Sequence, residues 1–83
     1  MKDKNIKDLM TTLLQVQKQE DMLDLLKGLL TLGELEEMAN RLQIVKLLKA
    51  GMPQREIAEK LKVGIATVTR GSKELKQGRF KNI

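Results

Sequence analysis

The stretch Gln54-Arg55-Glu56-Ile57-Ala58-Glu59-Lys60-Leu61-Lys62-Val63-Gly64-Ile65-Ala66-Thr67-Val68-Thr69-Arg70 decides how this chain folds. Ile57, Ala58 and Leu61 share one face of a short helix, Lys62-Val63-Gly64 interrupts the pattern, and a second helix is predicted from Ile65 to about Gln77 with Val68, Ser72 and Leu75 on its inner side. Ala58 is small where two helix backbones cross closely, and a three-residue turn gives the steep angle of a helix-turn-helix. The exposed face of the second helix carries short residues at its leading end, Ile65, Ala66 and Thr69, with Thr67, Arg70 and Lys73 around them. Short side chains let a helix enter the major groove, and cations at its borders neutralise phosphates. A generic helical hairpin accounts for the small residue and the turn but not for that distribution.

Upstream of this unit the apolar periodicity predicts three more helices. From Asp3 to about Gln19, residues Ile6, Leu9, Met10, Leu13, Leu14 and Val16 form an amphipathic stripe that Asp3 or Asn5 can cap. Asp21 is the predicted cap of a second, shorter helix through Met22, Leu23, Leu25, Leu26, Leu29 and Leu30, apolar on more than one face. Thr31-Leu32-Gly33-Glu34 is a capping box, in which a hydroxyl and a carboxylate each serve the other residue's amide. The third helix then places Leu35, Met38, Ala39, Leu42, Val45 and Leu48 on one side and ends at Gly51, a suitable left-handed cap. Pro53 suits the first turn of the fourth helix, where an amide would be unpaired anyway. Gly78 closes the fifth, and Arg79 to Ile83 is expected to fray as a basic tail. The reading is all-α, one domain: a helical dimerisation core over 1–50, a helix-turn-helix unit over 51–78 and the tail over 79–83.

Charge also divides the chain into two halves. Residues 1–40 carry a net charge of −3 and residues 41–83 a net of +8, within an overall +5. A polyanion on the second half is implied, nucleic acid first and an anionic membrane second. Histidine, cysteine, tryptophan and tyrosine are all absent. That removes the usual transition-metal ligands, the thiolate nucleophile and His-centred acid/base pairs, so neither a metal site nor an enzyme is expected. With no apolar signal core and no membrane span, the chain reads as cytoplasmic.

Gly64-Ile65-Ala66-Thr67-Val68-Thr69-Arg70-Gly71-Ser72, with Gln54-Arg55-Glu56 before it and Leu30-Thr31, Arg41 and Ile44-Val45 further upstream, resembles the tryptophan operon repressor family over about residues 28 to 76. The resemblance implies an intertwined homodimer that binds a double-stranded DNA operator when L-tryptophan, the corepressor, fills a pocket beside the reading helix. By it, Arg41 and Arg70 sandwich the indole, Arg70 also holds the carboxylate, Gly71 and Val45 line the slot, and carbonyls near Gly28 and Leu30 take the ammonium beside Thr31. Arg55 is then a direct base reader, Gln54 and Lys76 phosphate contacts, and Ile65, Ala66 and Thr69 the face that reads bases largely through water.

Four features depart from the family pattern. Glu74 stands where the family has a serine beside the ligand's amino group; it can hold an ammonium, repel the ligand carboxylate, or pair with Arg70 and close the slot. Pro53 replaces a small hydroxyl residue, and Lys62 occupies a turn position usually given to glycine, which requires a left-handed lysine or a different turn. The sequence stops after the fifth helix, where the family commonly adds a sixth, which leaves dimerisation to residues 6–48. Two alternatives stand beside the tryptophan-responsive repressor: a DNA-binding regulator on this scaffold with no tryptophan response, and a helical protein-interaction module whose leucine-rich first half binds a partner helix.

Overall fold

The computed structural model describes residues 2–83 and contains five helices: α1 (Lys2–Gln15), α2 (Gln19–Leu29), α3 (Leu32–Lys49), α4 (Gln54–Leu61) and α5 (Ile65–Lys76). No strand is present among the described residues. The all-α reading holds. Two compact units, Met1–Leu35 and Glu36–Ile83, divide the chain.

In the first unit the starts of α2 and α3 are set by local hydrogen bonding. Lys18, in extended conformation, is the N-cap of α2, and its carbonyl accepts the Met22 N–H at 3.0 Å. Asp21, expected as that cap, lies instead inside the first turn, where with Glu20 it faces the positive end of the helix dipole. The capping box forms as anticipated: the Thr31 N–H donates to Glu34 Oε1 at 2.8 Å and the Glu34 N–H donates to Thr31 Oγ1 at 3.1 Å. The Thr31 backbone N–H, and after it the Thr31 hydroxyl, favour the ionised carboxylate and hold Glu34 below its ordinary pKa. No described side chain of this unit is buried, and Ile6, Leu9, Met10, Leu14, Leu23, Leu29 and Leu32 are exposed.

The second unit holds the core. Ile44, Ile57 and Val68, one each from α3, α4 and α5, pack together almost without exposure, surrounded by Leu47, Leu48, Met52, Ala58, Leu61 and Val63. Ile44 was not on the stripe predicted for α3, whereas Met38 and Leu42, which were, are exposed. α3 ends as expected: Gly51 adopts φ +92° and the Met52 N–H reaches back to the Leu47 carbonyl at 3.1 Å. Pro53 is the N-cap of α4 rather than a member of its first turn, with its carbonyl accepting the Ile57 N–H at 3.1 Å. The tail is placed against the end of α3. The Lys49 ammonium donates to the Phe80 and Ile83 carbonyls, and the chain turns back through Gly78 at φ +96°.

Candidate nucleic-acid interface and ligand pocket

Helices α4 and α5 are joined through a left-handed lysine. Lys62 adopts φ +56°, ψ +46°, and its N–H and that of Val63 both converge on the Ala58 carbonyl. This is the left-handed lysine that the sequence required for a tight turn. Gly64, extended, starts α5, and α4 packs on α5 through Ile57 and Val68.

The surface so formed presents most of the residues assigned to DNA. Arg55 on α4 and Ile65, Ala66, Thr67, Thr69, Lys73 and Lys76 on α5 are all exposed. Gln54 is half-buried because its Oε1 accepts the Thr69 hydroxyl at 2.9 Å, a bond that ties the start of α4 to the outer face of α5. The first turn of α5 holds no carboxylate, and Lys73 and Lys76 lie in its last turn. The Thr67 N–H donates to the Gly64 carbonyl at 3.1 Å, and no acidic side chain opposes an anion at the positive end of this helix.

Behind that surface lies a cavity of about 440 Å³, within the range of small-molecule sites. Arg41, Ile44 and Val45 of α3 form one wall, and Ala66, Thr67, Arg70, Gly71 and Glu74 of α5 form the other. Five of the seven residues assigned to the ligand, Arg41, Val45, Arg70, Gly71 and Glu74, thus meet at one pocket. Leu30 and Thr31 belong to the first unit, and their assignment rests on the family pattern alone. Gly71 has a structural reason as well: a Cβ there would stand 3.1 Å from Ile44 Cγ2 and 3.7 Å from Leu48 Cδ1. It lets α5 lie close on α3. Arg41 is held loosely by Glu37, one turn back on its own helix, at 3.5 Å.

Sequence reasoning missed the rest of the pocket. Arg79 and Phe80, dismissed with the tail, complete its lining. Glu74 pairs with Arg79, Nε to Oε1 at 3.3 Å, and not with Arg70. The available signal was a lone aromatic and an arginine directly after Gly78, a residue able to reverse the chain onto α5. Among the described residues no cluster of three or more His, Cys, Asp or Glu is placed to hold a metal ion, and no helix is long and apolar enough to cross a membrane.

The described residues thus form an all-helical chain with an exposed, cation-bordered surface on α5 and an arginine-lined pocket behind it. The chain belongs to the Trp repressor protein family, whose sequence pattern matches residues 4–82. It is 54% identical over 61 residues to a Trp operon repressor homolog of Vibrio vulnificus, covering 72% of this chain and 58% of that protein. A Trp operon repressor homolog of Chlamydia trachomatis serovar L2 is 44% identical over 63 residues, covering 75% of this chain and 67% of that protein. A third, from Vibrio cholerae, is 49% identical over 61 residues, covering 72% and 57%. The chain thus spans less than three fifths of the length of its Vibrio relatives. No solved structure matches it. The family is one of repressors and not of enzymes.

Proposed function

We propose that the protein is a cytoplasmic, sequence-specific DNA-binding repressor of the Trp repressor type, dimeric, with L-tryptophan as corepressor. The observation that carries this reading is the shared wall: Ala66 and Thr67 belong both to the outward surface of α5 and to the lining of the pocket that holds Arg41 and Arg70. A ligand seated there touches the helix that reads DNA. Guanidinium planes stack on an aromatic ring and bind carboxylate in a forked geometry, which suits Arg41 and Arg70 to an indole amino acid. Filling the space between α3 and α5 then restricts the angle of α5, and DNA binding follows from the population so favoured. In this account residues 51–78 form the helix-turn-helix, and residues 1–50 form the dimer core through the exposed leucines of α1 to α3. Two copies would present α5 to successive major grooves, at the spacing of about 34 Å known for helix-turn-helix dimers, Trp repressors among them.

Calorimetric titration with L-tryptophan tests the ligand. One molecule should bind per protomer, and Arg70→Ala should lose about 1.5–3 kcal/mol, the contribution of a hydrogen bond to a charged group. Absence of binding to the wild type would contradict the corepressor role. It would leave a tryptophan-independent DNA-binding regulator, a reading favoured by one observation: Glu74 already has a cationic partner in Arg79.

A further inference from the structure

The pocket is lined by three guanidinium groups, those of Arg41, Arg70 and Arg79, and by one carboxylate, that of Glu74. An amino-acid ligand brings one anionic and one cationic group. Its carboxylate has arginines to choose from; its ammonium has Glu74, and Glu74 is engaged by Arg79 at 3.3 Å. We infer that Arg79 is a specificity-determining residue of this pocket: it competes with the ligand ammonium for Glu74 and biases the site toward aromatic carboxylates that carry no ammonium. The inference rests on the reading of the pocket as an amino-acid site and concerns how that site discriminates.

The geometry makes Arg79 a placed group. Gly78 at φ +96° reverses the chain, and the Arg79 N–H donates to the Glu74 carbonyl at 3.1 Å, so backbone and side chain both return to residue 74. Lys49 fixes the turn from α3 by donating to the carbonyls of Phe80 and Ile83. Phe80 is held at φ +65°, a conformation that costs energy in an L-residue, and it lines the same pocket. The ion pair itself is open to water, with the Arg79 side chain 69% and the Glu74 side chain 36% exposed. Exposed pairs are weak, so Arg79 is displaceable and acts as a competitor rather than a seal.

The test compares L-tryptophan with indole-3-propionate, which keeps the ring and the carboxylate and lacks the ammonium, by calorimetric titration of the full chain. Arg79→Ala should raise the affinity for L-tryptophan about two- to fivefold and change that for indole-3-propionate by less than about twofold. Arg79→Lys should keep the wild-type ratio of the two. In a Glu74→Gln background, L-tryptophan should bind more weakly than to the wild type, and adding Arg79→Ala should make no further difference. Circular dichroism checks that every variant is folded, and Arg79→Gln replaces Arg79→Ala if that variant is not. Equal responses of the two ligands, or none, with both still binding, would overturn the inference and leave the pocket reading intact. Binding of neither ligand to any variant would overturn the pocket reading and the inference with it.

Discussion

Lys62 shows how one residue can hold the turn between α4 and α5 at a cost. A left-handed conformation is unfavourable for any residue with a Cβ by about 1–2 kcal/mol, and glycine avoids it while losing more chain entropy on folding. Lys62→Gly should therefore stabilise the protein by about 0.5–1 kcal/mol, read as a higher urea midpoint at unchanged slope. Gly71 is the opposite case, since the space its missing Cβ leaves is occupied by Ile44. Gly71→Val should destabilise by about 1–3 kcal/mol in the same assay. Glu34 gives the fold a pH dependence. Because Thr31 holds its folded pKa below the ordinary 4.5, the stabilisation is present above that value and is lost as pH falls through the lower folded value. Glu34→Gln should flatten the stability profile of the protein in that acid range, measured by denaturation at a series of pH values.

At the scale of the helices, the elements that were readable in the sequence are those whose ends are set by near neighbours. The Thr31–Glu34 box, the Gly51 cap and the Lys62 turn each involve residues within five positions of one another, and each stands where the sequence placed it. The start of α2 differs from the sequence expectation because Asp21 suits a cap by residue type, while the helix begins on an extended Lys18 whose side chain makes no cap bond. The placement of the tail was not legible for a different reason: it is bound by Lys49, 31 and 34 positions away from the carbonyls it meets, and no local pattern announces such a contact. Ile44 lies off the apolar stripe read for α3, a helix with apolar residues on several faces, where the position of α4 and α5 selects the buried side. The proposed roles on α4 and α5 separate by mutation. Arg55→Ala should cost about 1–3 kcal/mol on a preferred duplex and relax base preference. Lys76→Ala should weaken all duplexes alike and lower the salt slope by about one per site. Identical behaviour of the two variants, followed by fluorescence anisotropy against salt, would mean that both touch only phosphate.

For the whole molecule, the first unit poses a physical problem that the proposed second copy would resolve. None of its described side chains is buried, Leu14 is 85% and Leu32 68% exposed, and apolar surface left in water forfeits about 25 cal/mol for every Å². Sedimentation equilibrium should show a dimer at micromolar concentration, and Leu14→Asp should shift it toward monomer; a stable folded monomer of the wild type would contradict the proposed dimer. The other proposed partner, DNA, is matched by the basic half, since the +8 of residues 41–83 includes Arg55, Lys73 and Lys76 on or beside the α5 surface. The central claim is that a ligand in the α3–α5 pocket governs how α5 reads DNA. Its most direct test is selection of bound duplexes from a randomised pool with and without L-tryptophan at fixed salt. The account predicts that a sequence preference with two half-sites about one helical turn apart is enriched only with L-tryptophan present. The same sequences enriched to the same degree without it would contradict the claim.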